Sequence, residues 1–257
     1  DKGWLFGILL ASAVALVIIG GIKSIANAAS RIVPSMAGLY LLSALTILML
    51  SIDKIDDALN LIIQSAFGLG SFTGGAIGAL IIGFQRSAFS NEAGMGTASI
   101  AHSAVETDEP ISEGLVSLLE PFIDTMIICT LTSLVIITTL YTNDPSLGNL
   151  EGIAISSAAF AFHIDWFPVV LGIAALLFAF STAIAWAYYG LKSWTYIFGE
   201  SRGSELVFKM IFCLFVCLGC MIKLSAVLDF SDAMVFVIAV PNIIGLYESR
   251  SLSDTKL

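Results

Sequence analysis

The sequence predicts an all-α integral membrane protein, and three observations carry that prediction. Hydrophobic residues make up 58% of the 257-residue chain. Charged residues make up only 12%, against roughly 25% in an ordinary soluble domain. The apolar residues also gather into long runs, each near the ~20 residues that a helix needs to cross a bilayer. A soluble core built from this chain could not hide so much apolar surface. The formal net charge of −9 identifies no partner, because the acids sit in the connections between runs. No basic face suited to nucleic acid is present.

In chain order, residues 4–22 form the first run. A short connector with Lys23 and Arg31 leads to a second, 34–52, with Pro34 near its first turn, where a missing N–H costs little. Residues 53–67 are too polar to span. Ile55, Leu59, Ile62 and Ile63 make one apolar stripe there, which predicts a helix lying in the membrane interface. An interrupted element is expected over 70–105. The next span, 111–139, carries Pro121, Glu120 and Asp124. A connection over 141–165 contains the apolar stretch IAISSAAFAF, read as a loop dipping back over the protein. Three more spans follow at 167–191, 206–222 and 227–247, the last with Pro241 as a kink, before a polar, frayed tail over 248–257. Cys213, Cys217 and Cys220 share one helical face. Helix packing by small residues is preferred there to a soft-metal site.

Seven crossings alternate sides, so basic residues can orient the chain. Lys23, Arg31, Lys192, Arg202, Lys209, Arg250 and Lys256 fall on one side, Lys2, Lys54 and Lys223 on the other. The positive-inside rule makes the first side cytoplasmic, with the C-terminus there. The acidic connection 106–113 dissents weakly. The chain opens DKGWLFG, with neither initiator Met nor signal peptide, and enters an apolar run at once. The expectation is a fragment that lacks upstream sequence.

The stretch 89–96, FSNEAGMG, is the chemical centre of the sequence. It places Ser90, Asn91, Glu92 and two glycines inside an apolar region. From Ala76 to Phe89 is 14 residues, roughly 21 Å of helix and short for a crossing. A broken membrane helix is favoured over an aqueous loop between two spans. Such a break exposes a helix N-terminus and free carbonyls near mid-membrane, a recipe for a substrate or ion site. Gly94 and Gly96 allow close backbone approach. Ser90 and Asn91 offer short polar groups and Phe89 a wall, whereas the bland reading is a kink packed by glycine.

FSNEAGMGTASIAH, with FIDTMIICTLTSLVIITT and FAFSTAIAWAYYG downstream, resembles the alanine/glycine:cation symporters, also called sodium:alanine symporters, over residues 4–247. Ser87 and Ser99 depart from the Gly and Pro usual in that family. The resemblance implies a partial leucine-transporter-like inverted-repeat fold of about seven spans, the third broken. Residues 1–52 would then be the last two helices of the first repeat, 53–69 an interfacial helix and loop, 70–247 the second five-helix repeat, and 248–257 a cytoplasmic tail. It implies sodium-coupled symport of alanine, glycine or similar small neutral amino acids by alternating access. Sodium is the coupling ion, no cofactor is expected, and the partners would be the plasma (inner) membrane bilayer and the missing N-terminal helices of the same transporter.

The expected substrate-binding residues are Phe89, Ser90, Asn91, Gly94, Gly96 and Trp186. Trp186 lies one turn beyond Thr182, and an interfacial belt position is its other reading. Ser181 and Thr182, adjacent hydroxyls in the fifth span, resemble a sodium site, since sodium prefers oxygen ligands. Both could instead bond back to the preceding turn. Arg86, Glu92 and Asp124 are gating or ion-pair candidates, because intramembrane charges are costly. His102 is read as a packed polar residue. Proton coupling through Asp124 or Glu92 remains a rival mechanism. An intramembrane hydrolase is disfavoured because no second inward Asp, HExxH or Ser–His pairing at helical spacing is read in the sequence, so the protein is not expected to be an enzyme.

Overall fold

The structure is a computed structural model that describes residues 3–67, 75–92, 94–141, 150 and 152–254. Among these there is helix and no strand. The helices run α1 (Gly3–Ile19), α2 (Gly21–Leu50), α3 (Ile55–Phe67), α4 (Gly75–Asn91), α5 (Thr97–His102), α6 (Pro110–Tyr141), α7 (Ile153–Ala161), α8 (Phe167–Phe198), α9 (Arg202–Gly219) and α10 (Leu224–Asp254). Helix α6 is not uniform: it winds as a π-helix over Phe122–Cys129 and again over Ile137–Tyr141. Among the described residues, four stretches are long and apolar enough to cross a membrane: α2, α6, α8 and Ser225–Ser249 within α10. Helices α1 and α9 are shorter, at 17 and 18 residues.

Several boundaries differ from the sequence reading. The connector expected after residue 22 is helical, so Pro34 lies inside α2 rather than in its first turn. The stretch SIANAAS carries alanines, the best helix formers, and no breaker, so nothing stops the helix there. The turn is made earlier, at Gly21, whose φ of 69° suits glycine. Of the frayed tail expected over 248–257, residues 248–254 instead continue α10 through Asp254, and 255–257 lie outside the described residues. The apolar stretch in the connection 141–165 is α7, a helix rather than a loop. The first residues expected of the interrupted element, 70–74, lie outside the described residues.

The chain forms two compact units. The first contains residues 1–33, 92–117 and 178–257. Its core joins Val14, Ile18 and Ile25 to Ile184, Ala187 and Tyr188, with Phe180, Phe212 and Cys213 packed around them. Helices α1 and α9 touch through small residues, as expected of the cysteine face. A Cβ on Gly7 would stand 2.7 Å from the Cys217 carbonyl oxygen and 3.2 Å from the Cys217 Cα. Backbone cannot yield as a side-chain tip can, so Gly7→Ala should cost about 1–3 kcal/mol as overpacking. At Gly38, in α2, a Cβ would meet nothing within 4 Å, and Gly38→Ala should leave stability equal or raised, since alanine favours helix. Thermal unfolding of the two variants in detergent checks the contrast. Equal melting temperatures would contradict it.

The second unit contains residues 34–91 and 118–177. Its buried side chains include Ile47, Val135, Thr138, Thr139 and Phe160. The Tyr40 hydroxyl hydrogen-bonds with Thr132 and its ring lies 5.8 Å from that of Phe160. Ser51 Oγ meets His163 Nε2 at 2.6 Å, which gives His163 a partner across 112 residues of sequence. Thr138 and Thr139 donate to the carbonyls of Leu134 and Val135, so their hydroxyls are satisfied without water. Many large apolar side chains point outward in both units, among them Leu16, Met49, Ile111, Phe236 and Ile243. Such outward apolar faces suit hydrocarbon rather than water.

Candidate functional site

The interruption expected in FSNEAGMG is present. It begins at Glu92, two residues later than the first polar residue of the motif, because Ser90 and Asn91 still belong to α4. Helical geometry resumes at Thr97. Three described residues of the break have positive φ: Glu92 at 56°, Gly94 at 85° and Gly96 at 89°. Glycine takes such values freely, but a glutamate there is strained by roughly 1–2 kcal/mol. Something must hold Glu92 in place.

In the first unit, that something is Trp186. Its indole Nε1 donates to Glu92 Oε1 at 2.6 Å, a hydrogen bond strengthened by the carboxylate charge. A second fastening comes from α10, where Asn242 Nδ2 donates to the Gly94 carbonyl at 2.9 Å. Asn242 also packs onto Gly96, since a Cβ there would meet its Oδ1 at 2.7 Å and its Cγ at 2.9 Å. Met95 and Thr97 are buried. The Thr97 hydroxyl is buried and has no hydrogen-bond partner among the described residues. As the first residue of α5, Thr97 has no preceding helical turn whose carbonyl it could use. The second half-helix is tied onward as well: His102 Nδ1 meets Glu113 Oε1 at 2.5 Å, with each side chain 19% exposed.

In the second unit, α4 ends against the π-helical part of α6. Ser90 donates to the Asp124 carboxylate, and Asn91 Nδ2 donates to Thr125 Oγ1 at 2.9 Å. The wider winding of the π-helix lets consecutive side chains, Asp124 and Thr125, both meet that helix end. Phe89 is partly exposed beside them.

The expected residues thus fall into distinct groups. Ser90 meets Asp124 and Glu92 meets Trp186, neither pairing being foreseen. Of the suspected ion pairs, the acids are engaged by a hydroxyl and an indole. Arg86 sits exposed on α4. Ser181 Oγ donates to the Phe178 carbonyl at 3.0 Å, the back-bonded arrangement weighed against a sodium role, while Thr182 is exposed one residue on. Asn242, Thr97 and Glu113 were missed. Asn242 had a visible signal, an amide directly after Pro241 in an apolar run. Among the described residues, no three His, Cys, Asp or Glu side chains are grouped to hold a metal ion.

The chemical character of the break is therefore clear. Gly94 and Gly96 keep side chains away from the backbone, the Thr97 hydroxyl is buried without a partner among the described residues, and the carboxylate of Glu92 accepts a hydrogen bond from the Trp186 indole. Comparison with known proteins points the same way. The model of the sodium:alanine symporter family matches residues 2–253. A sodium/alanine symporter, AgcS, from Methanococcus maripaludis is 39% identical over 93% of this chain and 53% of its own length. An uncharacterized transporter from Haemophilus influenzae is 37% identical over 97% of this chain and 56% of its own. The amino-acid carrier protein AlsT of Bacillus subtilis is 35% identical over 92% and 50%. All three bear transporter or carrier names rather than enzyme names, and the chain spans about half the length of each. The chain belongs to the sodium:alanine symporter family.

Proposed function

We propose that this chain is part of a sodium-coupled symporter of small neutral amino acids, alanine or glycine, working by alternating access. The single observation that carries the reading is the break at 92–96: a membrane helix opened by three positive-φ residues and pinned by Trp186 and Asn242. Freed backbone groups at membrane depth are tolerated where they meet protein or line a cavity, and transporters use them for substrate and ion. The family membership and the sodium/alanine name of a relative support the substrate class and the coupling ion.

On this reading the chain carries part of a leucine-transporter-like fold of about seven spans, with α1 and α9 counted as short ones. Residues 70–247 make one five-helix repeat that opens with the interrupted α4–α5, and 1–52 close the repeat before it. Relatives about twice as long support further helices that complete the site. The count of basic residues supports a cytoplasmic C-terminus, and an inner-membrane location is proposed with it. Phe89, Ser90, Asn91, Gly94, Gly96 and Trp186 are the proposed substrate-side residues. The unsatisfied hydroxyl of Thr97 joins them, because a buried hydroxyl left unpaired costs roughly 1–3 kcal/mol that a ligand would recover.

Sodium coupling through Ser181 and Thr182 makes a separate commitment. With the full-length protein in proteoliposomes, an inward sodium gradient should drive labelled alanine uptake, and a proton gradient alone should not. Thr182→Ala should raise the sodium concentration for half-maximal uptake, because an oxygen ligand of a hard cation is lost. Ser181→Ala should act in the same direction, since a hydroxyl that donates to the Phe178 carbonyl keeps its lone pairs for a cation. Sodium dependence unchanged in both variants would remove this pair from the ion site, and uptake driven by protons alone would replace sodium coupling with the rival mechanism.

A further inference from the structure

We propose that the first unit binds one monoanionic glycerophospholipid in a cavity between the α1–α2 turn and helices α8 and α9, lined by none of the residues of the break at 92–96. The cavity, of about 180 Å³, has an apolar wall of Ile18, Ile25 and Ala187 and an ionic end of Lys192, Lys209 and Glu205. A hydrated free anion gains nothing from such a wall, whereas a lipid brings both an apolar stem and a charged head. Tyr188 and Lys192 also border a second, more polar hollow with Ser99 and Ser103. Both serine hydroxyls already donate to backbone carbonyls, so their lone pairs remain to accept from a hydroxylated headgroup.

Charge balance selects a single negative charge. Lys209 is largely buried, with its side chain 14% exposed, and its ammonium stands 3.6 Å from Glu205. That separation is long for a charge-assisted hydrogen bond, which closes to 2.7–2.9 Å. Lys192 lies over the Tyr188 ring at 5.8 Å and forms no ion pair among the described residues. Two ammoniums against one carboxylate leave one positive charge for a phosphodiester.

Depth agrees with this. Lys192 and Lys209 each lie seven residues from the polar α8–α9 turn at 199–202, roughly 10 Å along a helix. Long lysine stems raise their ammoniums toward the surface from there, to the level where phosphates meet acyl chains. Basic pockets between membrane helices at that level hold lipid headgroups.

Native mass spectrometry of the delipidated full-length protein, titrated with phosphatidylglycerol or phosphatidylcholine, tests the proposal. Phosphatidylglycerol should saturate at one high-affinity copy per chain, ahead of phosphatidylcholine. Lys192→Gln, an exposed position that leaves the core untouched, should weaken it about fivefold. Ile22→Trp, which fills the cavity from its exposed rim, should weaken it without changing phosphatidylcholine binding. Equal affinity of both variants and the parent would overturn the site. So would displacement of the lipid by glycerol phosphate or by alanine at comparable concentration, which would make this a free-anion or a substrate site instead.

Discussion

Gly96→Ala should lower the initial rate of alanine uptake by about one and a half to two orders of magnitude in matched proteoliposomes of the full-length protein. Two costs add at this position. The alanine would sit at a φ of 89°, a left-handed conformation worth roughly 1–2 kcal/mol of strain. Its methyl would also meet Asn242 at 2.7–3.3 Å. Asn242 can move only by giving up its hydrogen bond to the Gly94 carbonyl, a further loss of about 1 kcal/mol. Together these approach 2–3 kcal/mol, and each 1.4 kcal/mol is tenfold in the population of the pinned break. Gly94→Ala carries the strain alone, since a Cβ there meets nothing within 4 Å, and Asn242→Ala loses the hydrogen bond alone. Both should therefore fall between Gly96→Ala and the parent. If Gly96→Ala transports as the parent does, this geometry is not the one that carries substrate.

The break itself was legible because glycines and polar residues inside an apolar run leave few ways to continue a helix. The helical spacing of Ile55, Leu59, Ile62 and Ile63 was legible too, and α3 forms over Ile55–Phe67. What holds the break was not. Trp186 reaches Glu92 across 94 residues and Asn242 reaches Gly94 across 148. No periodicity encodes which of several membrane helices will meet, because that is decided by packing after each helix exists. The same limit explains Ser90 and Asp124, whose meeting depends on a π-helical stretch in α6 that has no composition of its own. Helix ends failed for a different reason. Polar residues near a membrane surface were taken as connections, yet α2 and α10 run straight through them, since a helix needs no apolar face once it leaves hydrocarbon.

Trp186→Phe should be the more damaging of the two ways to break the Glu92 fastening, and Glu92→Gln the milder. Removing the indole N–H leaves a half-buried carboxylate on a strained backbone with its charge-assisted partner gone, a loss of about 1.5–3 kcal/mol. Glutamine keeps an oxygen acceptor for Trp186 and gives up only the charge. The double variant should cost less than the two single changes added, because the carboxylate that Trp186→Phe strands is no longer there. Such coupling, on the order of 0.5–3 kcal/mol, is the signature of a direct contact. The same variants separate a fastening from a proton carrier. If Glu92 fastens the break, Glu92→Gln retains sodium-driven alanine uptake at a reduced rate, with the same dependence on external pH as the parent. If Glu92 carries a coupled proton, Glu92→Gln loses accumulation against a gradient while alanine exchange across the membrane persists. Additive costs together with lost accumulation would reject the fastening role.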